Sequence, residues 1–117
     1  MSYDINIVHP TARQSIMDGG GESEREPFSD ATAARFIEHL GKLGYVLEFS
    51  DQDHQEFVKT VGKCPVPISL FRDEATFAVP YWEGADAAIA VAVADAVALA
   101  RACDLAAFDP QSGEWLT

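Results

Sequence analysis

The chain has 117 residues, of which 48 % are hydrophobic and 23 % charged, enough for one buried core and too few for two domains. Nineteen acids against eight bases give a formal net charge of -11. That balance argues against nucleic acid and against an anionic membrane, since both are met by Lys and Arg, and it favours a basic protein partner drawn in by long-range attraction.

The opening "YDINIVH" alternates, with Tyr3, Ile5 and Ile7 on one side and Asp4, Asn6 and Val8 on the other, which predicts a strand stopped by Pro10. Residues 10–27 hold three successive glycines and a charged tail with little to bury, and read as a long, mobile loop. "FSDATAARFIEHLGKLG" carries helix signals: Ser29 or Asp30 caps the start, and Ala33, Phe36, Ile37 and Leu40 share a face. Glu38 and Lys42 pair at four-residue spacing, and Gly44 stops the helix.

"YVLEFS" alternates again. The segment 51–62 fits either a hairpin partner across the polar turn Asp51 to His54 or a short helix capped at Ser50, and the hairpin is preferred. "VPISLFR" and "ATFAVPY" form the clearest hairpin, joined by the charged turn Arg72 to Glu74. Pro65, Pro67 and Pro80 are expected at strand ends or on an edge, because proline cannot donate to a ladder. Beyond Pro80 the pleat predicts that Tyr81 turns inward and Trp82 outward.

"ADAAIAVAVADAVALARACD" reads as helix, because its ten alanines and its length outweigh its apparent alternation. Ile89, Val93, Val97 and Ala100 make one stripe, while Val91 and Leu99 fall on another beside Asp95, to be covered either by the N-terminal loop or by a second subunit in a homodimer. "LAAFDPQSGEWL" adds a short strand, a turn from Asp109 to Gly113, and the apolar pair Trp115 and Leu116. The order implies an α+β domain: a mostly antiparallel sheet of about five strands with two helices packed on one face.

Chemical motifs are sparse. "DQDHQE" offers Asp51, Asp53, His54 and Glu56 close together. A calcium loop would need glycine and glutamate at its sixth and twelfth positions, where Glu56 and Gly62 stand, so no metal is expected. "DGGGES" lacks the lysine of a phosphate cradle. Cys64 and Cys103 show no CxxC spacing and read as buried thiols of a reducing, cytoplasmic compartment. The N-terminus has no basic stretch leading into an apolar run, and the longest uncharged apolar run, 87–94, is too short for a bilayer. No catalytic residue and no cofactor are expected; the enzymatic alternative would rest on His9, Asp109 and Cys64, scattered along the chain.

"MSYDI", "PISLFRDEATFAVPYW" and "AAFDPQSGEW" resemble a group of small bacterial proteins that share an opening strand, a VPYW-like strand end and a C-terminal DPQ turn. Proteins of this look are similar to immunity proteins that neutralise bacterial toxins. The resemblance implies a small, acidic, non-catalytic binding protein, with a basic toxin domain as partner. The residues expected to meet it are Trp82, Glu83 and Asp86 in one group and Asp51, Asp53 and Glu56 in another. The competing expectation is a small dimeric ligand-binding or regulatory domain.

Overall fold

The structure, a computed structural model, describes residues 2–10, 27–81 and 85–117. Trp82, Glu83 and nearly all of the expected loop over 10–27 lie outside them. Among the described residues the strands are β1 (Ser2–Val8), β2 (Val46–Ser50), β3 (Gln55–Val61), β4 (Cys64–Leu70), β5 (Glu74–Pro80), β6 (Ala106–Asp109) and β7 (Glu114–Trp115); the helices are α1 (Asp30–Lys42) and α2 (Ala85–Ala102). They form an α+β fold whose seven strands make one antiparallel sheet, ordered β2-β3-β4-β5-β1-β6-β7. The sheet has more strands than the expected five or so; the last segment, for one, folds into two short strands around the turn 110–113.

Local signals place most elements. The Ser29 side chain accepts the Thr32 N–H at 3.1 Å, satisfying one of the free amides at the start of α1. Phe36 and Leu40 face inward, Glu38 and Lys42 pair at 3.3 Å on the exposed side, and Gly44 takes a positive φ of 96° just past the last turn. Residues 51–62 form the hairpin, with Asp51 donating its N–H to the His54 carbonyl across the turn.

Pro80 ends β5, as expected, whereas Pro65 and Pro67 sit within β4, paired with Thr60 and Val58 of β3. Rungs between β4 and β5 begin only at Ile68↔Phe77, so both prolines stand where β4 is laddered to β3 alone, and a proline nitrogen cannot donate a further rung.

The core is a single cluster built from alternate residues of the sheet, among them Ile5, Ile7, Val66, Ile68, Phe77 and Val79, together with Phe36 and Leu40 of α1 and the inner face of α2. That inner face is Ala88, Ala92, Asp95, Ala96, Leu99 and Ala100. Leu99 is fully buried, so it cannot supply the homodimer surface expected of it with Val91; Val91 itself is half-buried. Methyl side chains let the helix backbone approach the sheet closely, and the larger Ile89 and Val93 flank the contact.

Asp95 therefore points inward, and the protein meets its charge. The Lys59 ammonium of β3 donates to Asp95 Oδ2 at 2.6 Å and to the Leu43 carbonyl at 3.0 Å, and the Tyr45 hydroxyl donates to the same carboxylate at 2.8 Å. Lys59 also lies 4.7 Å from the Tyr45 ring centre. Burial, reinforced by the Asp95 carboxylate, pushes the Tyr45 phenol far above its ordinary value.

Tyr81 is 48 % exposed, a correction to the inward position expected of it. The pleat persists only as far as the ladder, and Pro80, paired with Ser2, is the last laddered residue of β5.

A clasp joins the two ends of the chain. The Tyr3 hydroxyl donates to Asp109 Oδ2 at 2.6 Å, while Gln111 donates to the Asp4 carbonyl and accepts the Asp4 N–H, both at 2.8 Å. The hydrogen bond to Asp109, with burial behind it, pushes the Tyr3 phenol up to about 12. Burial alone would raise the Asp109 carboxyl, but hydrogen bonds from Tyr3, Gln111 and Ser112 together hold it below the usual range. A raised phenol stabilises the fold fully below its unfolded pKa near 10 and loses that contribution as pH climbs towards 12. A lowered carboxyl acts in the opposite sense: its contribution is present above its unfolded value of 3.8 and is lost as pH falls through the folded one. Tyr3→Phe is expected to cost about 1 kcal/mol at neutral pH and to reduce the loss of stability between pH 10 and 12, leaving the share that Tyr45 contributes. Denaturant titrations of both proteins across pH 7 to about 12 check this; an unchanged alkaline limb in the variant would refute it.

Candidate functional site

The β2–β3 turn and the β4–β5 turn lie at the same end of the sheet, because Gln55 pairs with Leu70. The entry to α1 is tied there too, through the Phe28 N–H, which donates to the Arg72 carbonyl at 2.9 Å. Between them is an open depression of about 220 Å³, lined by Phe28 and Asp30 of the helix entry, by residues 51–55 and by residues 70–72.

The first turn is held by its own side chain. The Asp51 carboxylate accepts the backbone N–H groups of His54 at 2.9 Å and Asp53 at 2.8 Å, and these bonds hold its carboxyl below the usual range. Asp51 is thus a structural cap, whereas Asp53 and Glu56 project into solvent. The His54 ring is stacked on Phe71 (5.4 Å between centres, 16° between planes) and tilted against Phe49 (5.4 Å, 41°). Its Nδ1 lies 3.4 Å from Asp51 and its Nε2 4.0 Å from Glu56. Phe49 and Phe71 are 46 % and 39 % exposed, and Val46 and Leu47 beside them are more open still. The result is an apolar ledge with Asp51, Asp53 and Glu56 beside His54 and the cation Arg72 beside Phe71.

Phe49 reaches this ledge through a register shift. The pairing runs from Leu47↔Phe57 to Phe49↔Glu56, so one extra residue, Glu48, is accommodated in β2. Strict alternation would put Phe49 on the side of Leu47; the bulge turns it to the opposite side.

The two groups of partner-facing residues expected from sequence are not brought together. Asp86 is exposed in the first turn of α2, which follows the Pro80 end of β5, whereas Asp51, Asp53 and Glu56 sit at the other end, roughly 20 Å away along a seven-residue strand. Glu83 and Trp82 lie outside the described residues. Phe49, His54 and Phe71 were not singled out by sequence reasoning as a site, and nothing local in "LEFS" or "SLFRD" links them.

The scattered catalytic alternative does not assemble. Cys64 on β4 and Asp109 on β6 are three strand positions apart, roughly 14 Å, and Asp109 is occupied by Tyr3 and Gln111. Both cysteines are buried, and burial pushes the Cys103 thiol up, away from a reactive thiolate. Among the described residues no group of three or more His, Cys, Asp or Glu is placed to hold a metal ion, and no helix is long and apolar enough to cross a membrane.

No protein-family model, no curated protein and no solved structure matches this chain.

Proposed function

We propose that the protein is a non-catalytic binding module that neutralises a basic protein partner, with immunity towards a bacterial toxin domain as its concrete form. Both helices are taken to lie on one face of the sheet, which leaves the turn end and the β2 edge open. The observation that carries the reading is the ledge of Phe49 and Phe71, exposed on either side of the half-buried His54 ring, with Glu48, Asp51, Asp53 and Glu56 near it. Aromatic anchors at the centre of a charged rim are the usual anatomy of a protein-binding hot spot: the rings supply affinity, and the rim sets the rate of encounter. A small ligand is less well served, because the depression is smaller than the roughly 300–1,000 Å³ of typical ligand pockets and opens broadly to solvent.

The test uses the full chain and a basic toxin domain that it binds. Association should slow as salt rises, since exposed charges are screened over about 8 Å at physiological ionic strength. Asp53→Lys with Glu56→Lys should slow association about tenfold at low salt with melting unchanged, Asp51 being left in place to hold the turn. Phe49→Ala with Phe71→Ala should act on dissociation instead and cost about 2 kcal/mol of affinity or more. Binding indifferent to salt and to both pairs would remove this surface from the function.

A further inference from the structure

The two edges of the sheet differ. β7 is two residues long, whereas all five residues of β2 are exposed, including Val46, Leu47 and Phe49. An edge strand presents backbone N–H and C=O groups that the adjacent strand leaves unmet, and such edges are usually shielded by a covering element or by charge. Here the charge is all of one sign: residues 46–56 contain Glu48, Asp51, Asp53 and Glu56 and no Lys or Arg.

We propose that β2 accepts an extended segment of the partner, in which Lys or Arg alternates with apolar residues, as an added strand of the sheet. The inference rests on the protein-binding reading above and names the part of the surface that does the binding. Charge complementarity selects this occupant over a second copy of the chain. Two β2 strands paired antiparallel about their centres set Glu48 opposite Glu48, and sliding the register brings the turn carboxylates towards one another; like charges directly opposed across a ladder are destabilising. A basic segment reverses the sign of each of those contacts. Its main chain meets the open ladder groups; because alternate side chains take opposite faces, its basic residues lie on the side of Phe49 and Glu56 and its apolar ones cover Leu47 on the other.

Three capped seven-residue peptides test this on the full chain: alternating Lys and Val, the same with Glu for Lys, and the Lys/Val peptide with alternate backbone nitrogens methylated. The last keeps charge and side chains but cannot complete a ladder. The expected result is amide exchange protection confined to residues 46–50 with the first peptide, with affinity lower by about tenfold or more for each of the other two. Glu48→Lys should weaken the Lys/Val peptide and strengthen the Glu/Val one. Equal binding by the methylated peptide, or protection elsewhere on the surface, overturns strand addition while leaving the acidic surface as the binding site. Absence of binding by the unmethylated Lys/Val peptide also overturns it, and the salt and Phe49/Phe71 measurements on the protein partner then decide the broader reading separately.

Discussion

Lys59→Met is expected to destabilise the protein by about 3 kcal/mol, a large share of the roughly 5–15 kcal/mol that holds a domain together. Methionine keeps most of the side-chain volume, so packing is not what is lost. The loss is the ammonium 2.6 Å from Asp95, after which a carboxylate on the inner face of α2 retains the Tyr45 hydroxyl at 2.8 Å but no countercharge. Asp95 is 8 % exposed, too little for water to replace the lysine fully. Combining Lys59→Met with Asp95→Leu and Tyr45→Phe should restore most of the stability, because a packed apolar set costs no desolvation of charge. Urea titration of the wild type, Lys59→Met and the triple variant measures both statements. A cost below about 1 kcal/mol for Lys59→Met would mean that the pair behaves as a solvated surface contact.

Phe77→Ala should cost about 4 kcal/mol, while Tyr81→Ala, four residues on in the same stretch, should cost under about 1 kcal/mol. Phe77 is fully buried at the centre of the sheet, paired with Ile5 and Ile68 on its two neighbouring strands, and meets the Tyr45 ring edge-on at 6.3 Å. Its removal leaves a cavity that the paired strands cannot close. Tyr81 stands beyond the last rung of the ladder with half its surface in water. Thermal melts and denaturant curves of the two variants give the comparison directly, and equal costs would show that Tyr81 is packed after all.

The elements that rest on neighbours within a few residues were legible in the sequence: the alternating β1, the Ser29-capped α1, the turns at Asp51–His54 and Asp109–Gly113, and the β4–β5 hairpin. In each, a pleat, a cap or a positive-φ glycine states the local conformation by itself. The acidity of the surface was legible too, because it is a sum over composition. What the tertiary structure decided is which side of each element faces inward. The inner face of α2 could not be read from a helix of alternating alanine and valine, since the apolar contrast that marks a buried face is weak there and Asp95 points the reading outward. The choice was made by Lys59, 36 residues earlier in the chain, which neutralises that aspartate and allows Leu99 into the core beside it. The ledge has the same origin. Phe49 was redirected by the bulge at Glu48 and Phe71 placed by the next hairpin but one, and they meet through His54 because Gln55 pairs with Leu70. Local periodicity is written within one turn or one pleat, whereas the burial of a charge and the meeting of two rings depend on partners that only the paired strands bring into range.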